Sequence, residues 1–232
     1  MTSREGEYKI KGDYHRELNK KWQYYPIYVE KKKFLSNFME KISKRETVLD
    51  LGCGEGVFVE KYRTDGYNIR GLDLNYSSDF VTQGNILDIP FESESFEVIL
   101  CLDVIEHLPL IQQEKALQEI CRVLSPEGIV LFAIPNLAHF SSRLSFLFTG
   151  RLIRTSSVNR HQGDRPIHEY IQLLSNNGFA INSRKGIFPT LPIISILTFF
   201  FPDKVLLLHS FINKLLAYPN WSFLNMIICR KK

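Results

Sequence analysis

The sequence predicts an α/β fold, a mostly parallel sheet with helices packed on both of its faces. Three observations carry this. Between residues 47 and 134, short apolar runs alternate with stretches of helical spacing, the pattern of strands joined by crossover helices. The first run, Thr47 to Leu51, is followed at once by glycines at 52, 54 and 56 and then by a helical segment from Glu55 onward. An apolar run this short and this continuous reads as a strand buried on both faces. Finally, 232 residues with 44% apolar and 23% charged content are ordinary for a soluble globular chain that holds one domain with additions.

Taken in order, residues 8–46 predict one or two amphipathic helices rich in tyrosine and lysine, broken near Pro26. Strands follow at 47–51, 68–73, 80–83, 96–102 and 128–134, with helices at about 55–65 and 111–123. Ser125-Pro-Glu-Gly128 is a turn by composition and should close the second of those helices. Only Asn75 to Phe80 separates the second strand from the third. A parallel crossover usually takes about a dozen residues, so the helix expected there must shrink to a turn.

After Asn136 the pattern changes. Residues 137–165 read as a basic loop, and a helix at about 166–177 ends at Gly178, a natural position for a glycine just past a helix. Phe179–Ile187 and Phe223–Arg230 are two further strands without a crossover signature between them, which makes seven strands and the last one antiparallel. Residues 187–217 form a hydrophobic insertion punctuated by Pro189, Pro192 and Pro202. Its longest apolar run, Leu191 to Phe201, falls short of the roughly 20 residues of a membrane-spanning helix. A lid, a dimer surface and an interfacial membrane contact all remain open for it. The organisation is then a helical cover (1–46), a ligand-binding core (47–136) and a C-terminal half of the same single domain (137–232).

Charge is segregated. Residues 47–138 carry 5 Lys/Arg against 15 Asp/Glu, while the flanking segments together carry 24 against 10. The basic flanks would draw anions, although Lys31 to Lys33 also reads as a solvated face. The N-terminus has no apolar signal region, and Cys53, Cys101, Cys121 and Cys229 lie far apart with no C-x-x-C pair. That pattern favours reduced thiols in a cytoplasmic protein, with peripheral membrane contact through 187–217 as the alternative, and argues against a structural zinc.

The turn after the first strand carries the most chemistry. In Val48-Leu-Asp-Leu-Gly-Cys-Gly-Glu-Gly56 the third glycine is one residue short of the G-x-G-x-x-G that wraps a dinucleotide pyrophosphate. Asp50 would repel a pyrophosphate but attract an ammonium group. The segment resembles motif I of the class I S-adenosylmethionine-dependent methyltransferases, which implies a Rossmann-like sheet and S-adenosylmethionine as cofactor. Asp73, 23 residues after Asp50, resembles motif II, whose acid holds the ribose diol. Gln83-Gly-Asn-Ile-Leu-Asp-Ile-Pro-Phe91 is similar to the segment that reads adenine. Asn85 replaces the usual aspartate there and could accept the same hydrogen bond without charge. The resemblance thus implies cofactor contacts at Asp50, Gly52, Cys53, Gly54, Asp73, Leu74, Asn85, Ile86 and Leu102.

Leu100-Cys-Leu-Asp-Val-Ile-Glu-His-Leu108 resembles the D-V-x-E-H form of motif IV, found in quinone-pathway O-methyltransferases and in methyltransferases of sugars or lipids. It implies three alternatives: His107 as a general base, Asp103, Glu106 and His107 around a divalent metal, or Glu106 and His107 merely orienting the loop. His161 to Arg165 is similar to a tail segment that lies toward the acceptor in that group, which makes His161 a further candidate and Arg160 and Arg165 possible anion contacts.

The expected reaction is transfer of a methyl group to a small-molecule, sugar or lipid-like acceptor, with oxygen as the expected atom. An NAD-dependent oxidoreductase, a nucleic-acid or protein methyltransferase and a non-catalytic binding protein are the alternatives. The first lacks its third glycine, and no nucleic-acid recognition module is evident.

Overall fold

The computed structural model describes residues 3–4, 18–153 and 161–232. Seven strands form one sheet: β1 Thr47–Leu51, β2 Asn68–Asp73, β3 Val81–Gln83, β4 Phe96–Leu102, β5 Leu124–Pro135, β6 Phe179–Ile187 and β7 Leu224–Lys231. Their spatial order is β3-β2-β1-β4-β5-β7-β6, and β7 alone runs opposite to the other six. Among the described residues seven helices accompany them: α1 Tyr25–Met39, α2 Val57–Thr64, α3 Leu110–Val123, α4 Phe140–Thr149, α5 Ile167–Asn176, α6 Pro192–Phe200 and α7 Leu206–Leu215.

Side chains alternate across the pleat, so each central strand feeds two cores. Leu49, Leu51, Ile99, Cys101, Val130 and Phe132 meet α3 and α5 on one face. Val48, Val98, Leu100, Leu131 and Ala133 meet α1 and α2 on the other. This double burial is why these strands read as unbroken apolar runs.

The short link between β2 and β3 has a geometric explanation. Gly71 pairs with Val81 and Asp73 with Gln83, so the chain retreats only about three residues before turning into β3. No helix is needed for that distance, and Tyr76–Ser77 forms a two-residue strand instead, paired with Ser3–Arg4.

Several local expectations are corrected. Pro26 occupies the first turn of α1, where its missing N–H costs nothing, and the part of the expected helical stretch before residue 18 lies outside the described residues. Residues 140–149 of the expected loop are the helix α4, begun by His139, whose ring accepts from Ser142 N, and closed by Gly150 at φ 68°. Ser125 to Gly128 is a bulge inside β5: Phe96 faces Leu124, and Val98 already faces Ile129. The hydrophobic insertion is two helices, α6 and α7.

Candidate active site

The turn after β1 bares backbone. Gly52, Gly54 and Gly56 all sit at positive φ, at 66°, 59° and 73°. A Cβ on Gly52 would lie 2.6 Å from the Val104 side chain. The N–H groups of Gly52 and Cys53 both donate to Leu72 O, at 2.8 and 3.2 Å, which clamps the turn onto the end of β2. The Cys53 side chain is buried, and a Cβ on Gly71 would meet its sulfur at 2.4 Å, so this thiol is a packing partner of β2.

Asp50 and Asp73 are both buried at the carboxyl ends of adjacent strands. Asp73 accepts from Gly54 N and Asn75 N, each at 2.9 Å. Burial raises its carboxyl above the ordinary range, with those two hydrogen bonds opposing. Keeping two carboxylates from water is costly unless cations or hydroxyl donors face them. The acidic floor and the bare glycine turn therefore fit S-adenosylmethionine, with its ammonium group and ribose diol. Leu74 and Asn85 are exposed, and Ile86 and Leu102 are half-buried. Asn85 Oδ1 already accepts from Leu87 N at 2.9 Å, in a tight turn that leaves its second lone pair for a ligand.

Beyond β4 the chain turns through Asp103, at φ 58°, into a short 3₁₀ turn at Ile105–His107. Lys31 of α1 reaches Asp103 Oδ2 at 2.5 Å and is itself buried, so the first lysine of the run is not part of a solvated face. Burial would lower its amine, but Asp103 outweighs burial and leaves it raised. Glu106 is buried, and its Oε2 has no hydrogen-bond partner among the described residues. Burial, and then the charge of Asp103, push its carboxyl well above the ordinary range.

His107 and His161 meet edge to face, with ring centroids 4.7 Å apart, and His161 Nδ1 lies 3.2 Å from Asp164 Oδ1. One ligand atom from each of Glu106, His107 and His161 lies within 4.8 Å of the others. Asp103, expected among the metal candidates, is engaged by Lys31, and His161 completes the trio instead.

A residue that sequence reasoning missed brings these segments together. Gln113, fully buried on α3, donates through Nε2 to Ile105 O and Gly163 O, both at 3.0 Å, and accepts from Arg165 Nε at 2.9 Å. Gly163 N donates to Glu106 O, and Tyr170 donates to Gly163 O. A Cβ on Gly163 would fall 2.0 Å from Gln113 Nε2, so only glycine allows the approach. The available signal was a glutamine on the apolar face of a helix. Arg165 is thus turned back onto α3, while Arg154 and Arg160 lie outside the described residues.

A cavity of about 230 Å³ is walled by Tyr24, Ile27, His139, Thr190, Phe199 and Phe223, among others. Ile27 is one helical turn before Lys31, so α1 links the cavity to the end of β4. A hollow of about 290 Å³ at the opposite ends of the strands, near Thr47 and Asn68, touches none of these residues.

Comparison with known proteins agrees with this geometry. Residues 14–183 match a family described as "Methyltransferase domain". An uncharacterised protein of Methanocaldococcus jannaschii is 35% identical over 117 residues, covering 47% of this chain and 49% of that protein. A probable S-adenosylmethionine-dependent methyltransferase of Mycolicibacterium smegmatis is 28% identical, covering 61% of this chain and 54% of that protein. The chain thus spans about half the length of these two relatives. A ubiquinone biosynthesis O-methyltransferase of Rickettsia canadensis is 24% identical, covering 66% of this chain and 70% of that protein. Among solved structures, the PH0226 protein of Pyrococcus horikoshii superposes with a TM-score of 0.60 at 16% identity, over 97% of this chain and 98% of that one, a likeness of fold. Family match, sheet order and glycine turn converge: the chain belongs to the methyltransferase-domain family and has the fold of the class I S-adenosylmethionine-dependent methyltransferases.

Proposed function

We propose that the protein methylates an oxygen atom of a small-molecule, sugar or lipid-like acceptor, and that Glu106, His107 and His161 surround that oxygen. The observation that carries this reading is the convergence of two imidazoles and a buried carboxyl beyond β4, next to the acidic cofactor floor. The resemblance to a ubiquinone biosynthesis O-methyltransferase supports oxygen as the atom methylated. The cofactor supplies an electrophilic methyl group on a sulfonium sulfur. His107, the exposed imidazole of the pair, would take the proton of the acceptor hydroxyl as that oxygen is methylated. His161, beside Asp164, orients that ring by edge-on packing.

The same three side chains support a second reading, since two imidazoles and one carboxylate are a donor set for a divalent metal with open positions. Such an ion would lower the acceptor's pKa. His107→Ala should reduce kcat at least a hundredfold, with cofactor affinity unchanged in calorimetry. Activity lost on chelation and restored by a divalent ion selects the metal reading. Unchanged turnover together with chelator insensitivity refutes both.

A further inference from the structure

Helices on a water-facing surface turn apolar side chains inward and polar ones outward. Three helices of the C-terminal half do the reverse. In α4 the buried side chain is Ser142, while Leu147 and Phe148 are 75% and 77% exposed. In α6 it is Thr198 that is buried, with Ile193 and Phe200 outside. In α7, His209 and Asn213 are buried with Ile212, while Leu207 and Phe211, one turn apart, are 88% and 62% exposed.

The inward polar groups are built into the fold. Thr198 Oγ1 and His209 Nε2 lie 2.7 Å apart, Ser142 Oγ accepts from Ile153 N at 3.0 Å, and Asn213 Oδ1 accepts from Phe188 N at 2.7 Å. These contacts also hold the helices together. His139 Nδ1 and Ser141 N meet Thr190 Oγ1 just ahead of α6, and the Thr198–His209 pair joins α6 to α7. Phe140 packs on Trp221, beyond α7.

Charge selects what covers this surface. Residues 139–153 and 190–223 contain Arg143, Arg151, Lys204 and Lys214 against a single acid, Asp203. Tyr218 and Trp221, whose rings suit a boundary between water and hydrocarbon, are exposed beside them. No helix among the described residues is long and apolar enough to cross a membrane, so such a face would lie on a bilayer. We propose that α4, α6 and α7 form an interfacial face that seats on an anionic lipid surface, apolar side chains at the acyl boundary and cations among the phosphates. The cavity walled by Tyr24 and Ile27 includes Ile153, Ser195 and Phe199 of this region, and α1 runs from it to Lys31 at Asp103, so a lipid-like acceptor could enter from the membrane side. That last step rests on the acceptor reading above; the seating does not.

Flotation with vesicles tests it. Vesicles of phosphatidylcholine and phosphatidylglycerol in equal amounts should carry the protein upward, and phosphatidylcholine alone should do so several-fold less. Changing Leu147, Phe148, Ile193 and Leu207 together to Ser alters only exposed side chains. The melting temperature should hold while vesicle affinity falls at least tenfold. Methyl transfer to a short-chain, water-soluble phenol should persist in that variant. Flotation without activity in either protein would then fault the acceptor reading and leave the seating intact. A wild-type protein that ignores vesicles overturns the seating. If it also forms a dimer in sedimentation equilibrium that the variant cannot form, the face belongs to a second copy.

Discussion

Asp73 is tied into the fold and stands where the resemblance expects the cofactor. It accepts from the backbone of Gly54 and Asn75, and it faces the site where the resemblance places a ribose. Asp73→Ala should therefore weaken S-adenosylmethionine binding ten- to a hundredfold in calorimetry, about 1–3 kcal/mol, and lower the melting temperature as two N–H groups lose their acceptor. Gly54→Val should abolish binding outright, because φ of 59° is strained for a β-branched residue and its side chain would fill the bared backbone. Normal binding by both variants would remove the glycine turn from the cofactor site. At this scale the placement of Asp50 and Asp73 at strand ends and of the glycines in a turn of positive φ was legible, because strand pattern and backbone sterics dictate it. Lys31 was opaque for the opposite reason. Nothing local separates it from Lys32 and Lys33, and only the packing of α1 decides that one of the three is buried on Asp103.

Among elements, β1, β2, β4 and β6 have the bounds read from the sequence, because each is an apolar or alternating run ended by glycine, proline or charge. α4 escaped notice because its exposed phenylalanines and buried serine invert the expected periodicity. The junction between the 3₁₀ turn at Ile105–His107 and residues 161–165 was equally hidden, since it depends on Gln113 from a third element. Gly163→Val should displace that loop and separate the two histidines, lowering kcat at least tenfold while cofactor affinity holds. Single-turnover kinetics alongside calorimetry would check this. Wild-type turnover in the variant would show that His161 has no part in the chemistry.

Across the whole molecule, stability should depend on pH through two buried histidines, His139 and His209. Burial lowers His139 and His209 to about 4, against about 6.5 for an unfolded chain. The neutral imidazole is favoured in the fold. The stabilisation is thus complete above about pH 6.5 and lost as pH falls toward 4, at most about 3 kcal/mol for each residue. Urea unfolding at pH 7.5 and pH 4.5 should show a loss that shrinks in the variant with both residues changed to Asn; an equal loss in that variant would place the acid sensitivity elsewhere. The place of β7, between β5 and β6, has a further consequence, for the order of assembly. β1, β2 and β3 pair within residues 47–83, so their loops close cheaply and early. β7 must join β5 across about a hundred residues, Ile129 against Arg230, and until it arrives both β5 and β6 lack the neighbour that completes the sheet. A nascent chain therefore forms its cofactor half first and carries a bare strand edge beside apolar helices, the interval in which it is most exposed to aggregation.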